Sequence, residues 1–452
     1  MTKIFDIRPV LDDVRAALDQ NDLDGATSLI AAIHPADAAA ILDELEFQEL
    51  QDIFARLAPE QGADVLIELD SDSQLELTQS LTQTQFSDLI AQMEPDDAAD
   101  VLFDLEPAQI EATLAALDPE ESDDVRQLLS HAEESAGGLM NSHVVTLRDR
   151  LTAQQAIDLL RQLRPEEENV YYLFVVDAAE RLVGVISLRS LVMAPANAPL
   201  ASIMDTNVLT ATVETDQEEC ARLLSRYDLL VLPIVDDERR IVGVINADDI
   251  IDVIEEEATE DMYRLANLSE DEDVEDTLFR SSRRRLFWLF VNLPTAILAA
   301  WVVSRFDGTV SRVTALVSFM PIIAGMGGNA GIQTLTLIVR SMALGEVAAG
   351  QGLRALRREM AIGAINGIAF GSAIAVLGMI WKGNPMLGLV AGSAMLLNLI
   401  SAAVAGTVVP LTLKFFHIDP ALASGVIVTT VTDVTGYACL LGMATLLISY
   451  LV

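Results

Sequence analysis

The residue types in this chain that could do chemistry are a few amides and one carboxylate set in apolar surroundings. Asp433, in VTTVTDVTGY, is the only acid in the last apolar segment. The stretch PIIAGMGGNAGIQTLTLIVR, residues 321–340, is also apolar but carries Asn329 and Gln333. Pro321, Gly325, Gly327, Gly328 and Gly331 punctuate it, which predicts a broken, glycine-rich helix with backbone carbonyls along a narrow path. Polar groups at membrane depth are costly unless they face a partner or a water-filled cavity. A lone acid, amides and a glycine-rich segment together read as a cation pathway.

The candidate ligands are Asp433, Asn329, the backbone at Gly328, Gln333, and Thr432 or Thr435. If the helix continues through the glycines, Asn329 and Gln333 share a face at i, i+4. Two plainer readings stay open. A protonated Asp433 could bridge helices, and Gln333 fits an inter-helical hydrogen bond equally well. All the ligands are oxygens, with His417 in a loop and Cys439 six residues beyond Asp433, so zinc and copper are poor fits. One carboxylate with neutral oxygens suits Mg²⁺ held through its water shell, whereas Ca²⁺ calls for more carboxylates. Two chains paired about a two-fold axis would bring two copies of Asp433 to one ion.

Five apolar segments must position these groups, near 286–304, 313–339, 360–381, 386–413 and 420–450, each close to the roughly 20 residues a bilayer requires. The second is long and predicts a tilt or a kink at Pro321. The net charge is −40, unevenly spread: residues 286–452 hold eight basic and five acidic residues, and residues 1–285 hold 20 and 63. An acidic soluble part joined to a membrane part follows, and such a surface excludes nucleic acid as a partner and favours cations. RSSRRR before the first span and Arg340, Arg354, Arg357 and Arg358 after the second place both sites on the cytoplasmic side. The expected topology is N-terminus in and C-terminus out, in the plasma (inner) membrane. The N-terminal sequence shows no signal-peptide pattern and the two cysteines, Cys220 and Cys439, make no disulfide framework, so the soluble part is expected in the cytoplasm.

Residues 1–133 repeat every twelve positions: Ile33, Leu45, Leu57, Leu69, Leu81, Met93, Leu105, Leu117 and Leu129, with Pro35, Pro59, Pro95, Pro107 and Pro119 two places on. Each unit reads as a turn, Pro at the first helical position and one short helix, and helices this short must stack into a superhelical solenoid. Residues 134–253 (134–199 and 200–253) contain a duplication. FVVD and LVGVI in the first copy match PIVD and IVGVI in the second. This resembles a tandem α/β CBS pair, a module that often binds adenine nucleotides through a Gly-x-x-Ser/Thr-x-x-Asp run. The first copy has Gly184, Ser187 and Ser190, with Ser in place of Asp. The second has Gly243, Asn246 and Asp249, with Asn in place of Ser or Thr. Both departures count against ATP there. An acidic connecting helix, about 254–280, precedes the membrane domain, 281–452.

The acids of the soluble part form sets: Asp96, Asp97 and Asp100; Asp216, Glu218 and Asp228; Asp249, Asp252, Glu257, Glu260 and Asp261. Any one of them fits a solvated surface. Taken together they repel, and closing two acidic faces needs divalent ions between them, which makes an ion sensor.

The order of acidic repeat, CBS pair, connecting helix and five spans resembles the MgtE family of magnesium channels, most specifically in PIIAGMGGNAGIQTLTLIVR and VTTVTDVTGY. The resemblance implies a homodimer with its pore between the membrane domains and hydrated Mg²⁺ at Asp433, near Gly328 and Asn329. It implies that the connecting helix is a plug, and that cytosolic Mg²⁺ between the repeat and CBS domains locks the channel. It points to Asp216, Glu218, Asp228, Asp249, Asp252 and Glu257 most clearly as sensor carboxylates. Two rivals stand beside a Mg²⁺ channel: a cation-coupled Mg²⁺ carrier, and a membrane-anchored nucleotide sensor. No enzymatic nucleophile–base pair or Walker-type loop is present in the sequence.

Overall fold

The structure is a computed structural model, and it describes residues 7–103, 105–163, 171–269, 278–344, 352–416, 418–422 and 424–451. It divides into two units, 1–253 and 254–452.

In the first unit the twelve-residue repeat becomes eight helices, starting at residues 35, 47, 59, 71, 83, 95, 107 and 119, each eight to ten residues long. Proline opens five of them, where its missing N–H has no helical partner to lose. Asp70 and Thr82 cap two others, accepting from the amides of Ser73 and Gln85. Each helix packs on the next but one, Pro35–Leu42 on Pro59–Ile67 and that on Gln83–Ile90, which winds the array into a superhelix. Its axis is filled by Leu42, Phe54, Leu66, Ile90, Leu102 and Leu114, also twelve or twenty-four residues apart and all at most 4 % exposed. These sit three residues before the repeat leucines, most of which are only partly buried.

The duplication becomes two three-stranded sheets of the same design. In the first, β1 (Thr146–Arg148) runs parallel to β2 (Tyr172–Val176), which pairs antiparallel with β3 (Leu182–Ser187). In the second, β4 (Ala211–Thr212), β5 (Val231–Val235) and β6 (Ile241–Asn246) repeat that order. The register repeats too, Tyr172↔Ser187 against Val231↔Asn246, with a bulge at the same place in each hairpin. The acidic turns are structural. Asp177 accepts from the amides of Ala179 and Arg181 and pairs with the Arg181 guanidinium, whose hydrogen bond holds its carboxyl below the usual range. Asp236 does the same with Glu238 and Arg240. Phe174, Leu182, Val235 and Val244 join the two sheets.

The second unit holds, among its described residues, five helical segments long and apolar enough to cross a membrane: Leu278–Ser304, Thr314–Ala343, Gly352–Lys382, Pro385–Phe415 and Ser424–Leu446. The fourth is the hub, packing against the second, third and fifth. Gly363, Gly367 and Gly371 line one stripe of the third and meet Leu399, Leu396 and Gly392 of the fourth backbone to backbone. The first span exposes Phe287, Phe290, Ile297 and Trp301, an apolar face suited to lipid.

The glycine-rich stretch departs from expectation. It is one unbroken helix, Met320–Ala343, with Pro321 in the first turn and a 3₁₀ turn over Thr314–Ser318 before it. Proline in the first turn leaves the helical ladder intact, and the glycines are held helical by their neighbours. Gly327 lies against the Asn398 amide, and a Cβ at Gly331 would stand 2.5 Å from the Val428 Cγ1. Gly325 and Gly328 face open space instead. The connecting helix also differs from 254–280: it runs Ala247–Ala266, and 270–277 lie outside the described residues, as do His417 and Asp104.

Candidate functional site

The membrane site is built on the second, fourth and fifth spans. Asp433 lies near the middle of the helix Ser424–Leu446, partly exposed, with no hydrogen bond or ion pair among the described residues. Asn329 and Gln333 share a face of the unbroken second helix, and both are exposed. Gly328, beside Asn329, is open on its Cβ side. Thr432 is placed elsewhere: it is fully buried, its hydroxyl donating to the Thr429 carbonyl at 2.9 Å and its methyl turned to Gly331. Thr435 donates to the Val431 carbonyl and to Asn398 Oδ1.

Asn398 went unnoticed in the sequence, and it ties the site together. It is 0 % exposed, donates to the Ile323 carbonyl at 2.8 Å and accepts from Thr435 at 3.2 Å. One amide of the fourth span thus clamps the second helix to the fifth, which fixes Asn329 and Asp433 relative to each other. An inter-helical hydrogen bond of this kind contributes about 0.6–2 kcal/mol in lipid.

The first unit holds a second constellation. Asp96, in the first turn of Pro95–Phe103, is buried. Asn141 donates to Asp96 Oδ1 at 3.2 Å and also to Glu94. Burial first, then the charges of Asp97, Asp249 and Glu94, push the Asp96 carboxyl well above the usual range. Asp249 caps the Asn246 amide at 3.2 Å. Burial, then Asp248 and, more weakly, Asp97 and Asp252, raise it to about 7. Carboxylates of the repeat domain and of the second CBS copy therefore crowd one place, with Glu94 and Asn141 as members the sequence did not reveal. No three His, Cys, Asp or Glu among the described residues are set to grip one bare ion. An ion held through its water shell needs no such grip.

The other acids are dispersed. Asp100 is exposed on the helix of Asp96. Asp216 caps the helix Gln217–Tyr227, accepting from the Glu218 amide at 2.9 Å, and both residues are exposed. Asp228 ends that helix in the left-handed region, φ 51°. Asp252 is exposed. In the second unit Glu260 pairs with Arg264, which also reaches Asp419 at 2.7 Å, in the turn before the fifth span. Burial, then Asp419 and Glu257, raise Asp261 to about 6.

Family models match along most of the chain: the MgtE intracellular N domain over residues 33–134, CBS domains over 136–197 and 200–256, and the MgtE divalent cation transporter model over 320–443. The chain is 36 % identical to the magnesium transporter MgtE of Thermus thermophilus over 330 residues, 72 % of each protein. It is 34 % identical to the Bacillus subtilis magnesium transporter MgtE over 321 residues, 71 % of each. The chain belongs to the MgtE family. Among solved structures, the cytosolic domain of the Mg²⁺ channel MgtE in complex with ATP matches at 34 % identity and TM-score 0.51, over 54 % of this chain and 99 % of that one. The soluble part of a magnesium transporter matches at 28 % identity and TM-score 0.50, over 56 % and 100 %. MgtE membership makes this a membrane transporter of divalent cations, with a helical N domain, a CBS pair and membrane helices.

Proposed function

We propose that this protein is a Mg²⁺-selective channel for magnesium uptake, closed by cytosolic Mg²⁺ bound to its acidic domains. The observation that carries the reading is Asp433: a carboxylate near mid-span, partly exposed, without a protein partner among the described residues, on a helix clamped by Asn398 to the helix of Asn329. A charge so placed needs a cation or water, and a second copy of the chain would supply the other half of a hydrated-ion site, making a homodimer. The candidate ligands Asp433, Asn329 and Gln333 are all oxygen donors, which favours Mg²⁺ over soft metals. The sensor reading rests on Asp96, Asp97 and Asp249, whose mutual repulsion an ion would relieve. Asp216, Glu218, Asp228, Asp252, Glu257, Glu260 and Asp261 would bind further ions.

The topology with N-terminal domains in the cytoplasm and the C-terminus outside is supported by one contact. Arg264 of the connecting helix pairs with Asp419 between spans four and five, which puts that turn on the side of the connecting helix. Mg²⁺ flux into proteoliposomes tests the pore: the Asp433→Asn protein, folded and inserted, should carry none, and wild-type flux in it would remove Asp433 from the path. A gradient of Na⁺ or H⁺ that drives Mg²⁺ flux would favour a coupled carrier.

ATP has a specific location in its favour. A cavity of about 620 Å³ lies beside Tyr172, Ser187, Arg189 and Met193 of the first CBS copy. In the second copy Asp249 is committed to the acidic cluster and the Asn246 amide. Nucleotide would then occupy the first copy, and Arg189→Ala should weaken ATP binding by titration calorimetry.

A further inference from the structure

The membrane unit contains a second buried acid, away from the Asp433 helix. Glu359, on the third span, is only 4 % exposed. Thr334 of the second span donates to it at 3.3 Å, a long bond, and no Lys or Arg nitrogen among the described residues lies within 4.0 Å of it. It follows Arg357 and Arg358 in sequence, and the chain turns it inward, where they do not reach it. A buried carboxylate with one long neutral hydrogen bond is costly to bury unless a cation joins it.

Glu359 lines a cavity of about 190 Å³ between the second, third and fourth spans. Gln333, Thr334 and Asn366 bring three more oxygens to it, and Leu399 and Ala403 close its apolar wall. No residue of the fifth span lines it, so Asp433 is not part of it, although Gln333, on the helix face of Asn329, is. At about 30 Å³ per water, the volume corresponds to roughly six waters, the size of one hydrated divalent ion. Glu359 also lies seven residues into the third helix, on the order of 10 Å from its start. A hydrated ion could reach that depth without crossing the hydrocarbon core.

We propose that this cavity is a second intramembrane cation site, in which Glu359 supplies the charge and Gln333, Thr334 and Asn366 orient the water shell of a divalent ion. Mn²⁺ is the probe, because its oxygen chemistry resembles that of Mg²⁺ and it scatters anomalously. Crystals of the full-length protein soaked in Mn²⁺ should show an anomalous peak beside Glu359, separate from any at Asp433, and excess Mg²⁺ should displace it. Glu359→Gln should lose that peak alone and Asp433→Asn should leave it. If Glu359→Gln does not fold, Asn366→Leu serves as the second variant, with the peak expected to weaken. A wild-type peak at Asp433 with none in the cavity overturns this inference and leaves the pore reading standing. A cavity peak with none at Asp433 keeps this inference and counts against that reading. A cavity peak unchanged in Glu359→Gln also overturns it.

Discussion

The acidic cluster of the first unit and the membrane spans of the second use carboxylates in opposite ways. In the first, burial and the neighbouring charges of Glu94, Asp97 and Asp248 raise the proton affinity of Asp96 and Asp249. In the membrane spans, Asp433 and Glu359 each stand apart from other acids, whereas the connecting helix repeats the crowded pattern at Asp261. Crowded acids respond steeply to an ion, because each added charge is relieved by the same cation, which suits a sensor. A solitary acid holds an ion weakly enough to release it, which suits a path. Acids that serve neither end look different again: Asp177 and Asp236 are tied to their own turns by arginine.

The comparison breaks most readily at the solitary acid. Asp433→Asn should reduce Mg²⁺ flux by at least a hundredfold in proteoliposomes with the fold intact by circular dichroism. Substituting the crowded acids should leave flux and shift its control: Asp249→Asn with Asp96→Asn should raise the Mg²⁺ concentration for half-closure about tenfold, measured by flux against internal Mg²⁺. If both substitutions abolish flux, the division of labour between the units is wrong.

The scaffold under the solitary acid should be less forgiving than its surroundings. A methyl at Gly331 must displace Val428, so Gly331→Ala should cost about 1–3 kcal/mol and lower the melting temperature of the detergent-solubilised protein. Gly328→Ala, on the open side, should leave it nearly unchanged. Equal losses at both positions would contradict the packing described here.

The pH dependence sharpens the contrast further. Asp249 titrates near 7 when folded, against 3.8 for the free side chain, so the folded protein holds the extra proton between those values. The contribution of Asp249 to stability without Mg²⁺ should therefore be greatest below about 4, fall as pH rises to about 7, and level off, so that Asp249→Asn removes a fall on the order of a few kcal/mol. Mg²⁺ should flatten that fall in a melting-temperature series, because the ion replaces the protons. A metal-free Asp249→Asn protein with the same pH profile as wild type would show that these acids are not crowded.

Much of this was legible in the sequence, and the exceptions have physical causes. The solenoid was readable because proline marks five of the eight helix starts in phase with the twelve-residue leucine repeat. The duplication was readable because β3 and β6 keep nearly the same residues. The glycine-rich stretch was misread as broken, because local helix propensity is overridden where a neighbouring helix fills the groove. Asn398 and Asn141 were invisible because their partners lie 75 and 45 residues away, and nothing local marks either residue. Glu359 was hidden by its arginine neighbours, which made it read as part of a charged loop.

The most direct test of the central claim is current through excised patches containing the full-length protein, with Mg²⁺ at the cytosolic face stepped from zero to several millimolar. Currents that are present at zero and vanish as Mg²⁺ rises are the result expected of a pore with an acidic sensor. Currents indifferent to the step would contradict the sensor, and no current alongside measurable vesicle flux would contradict the pore.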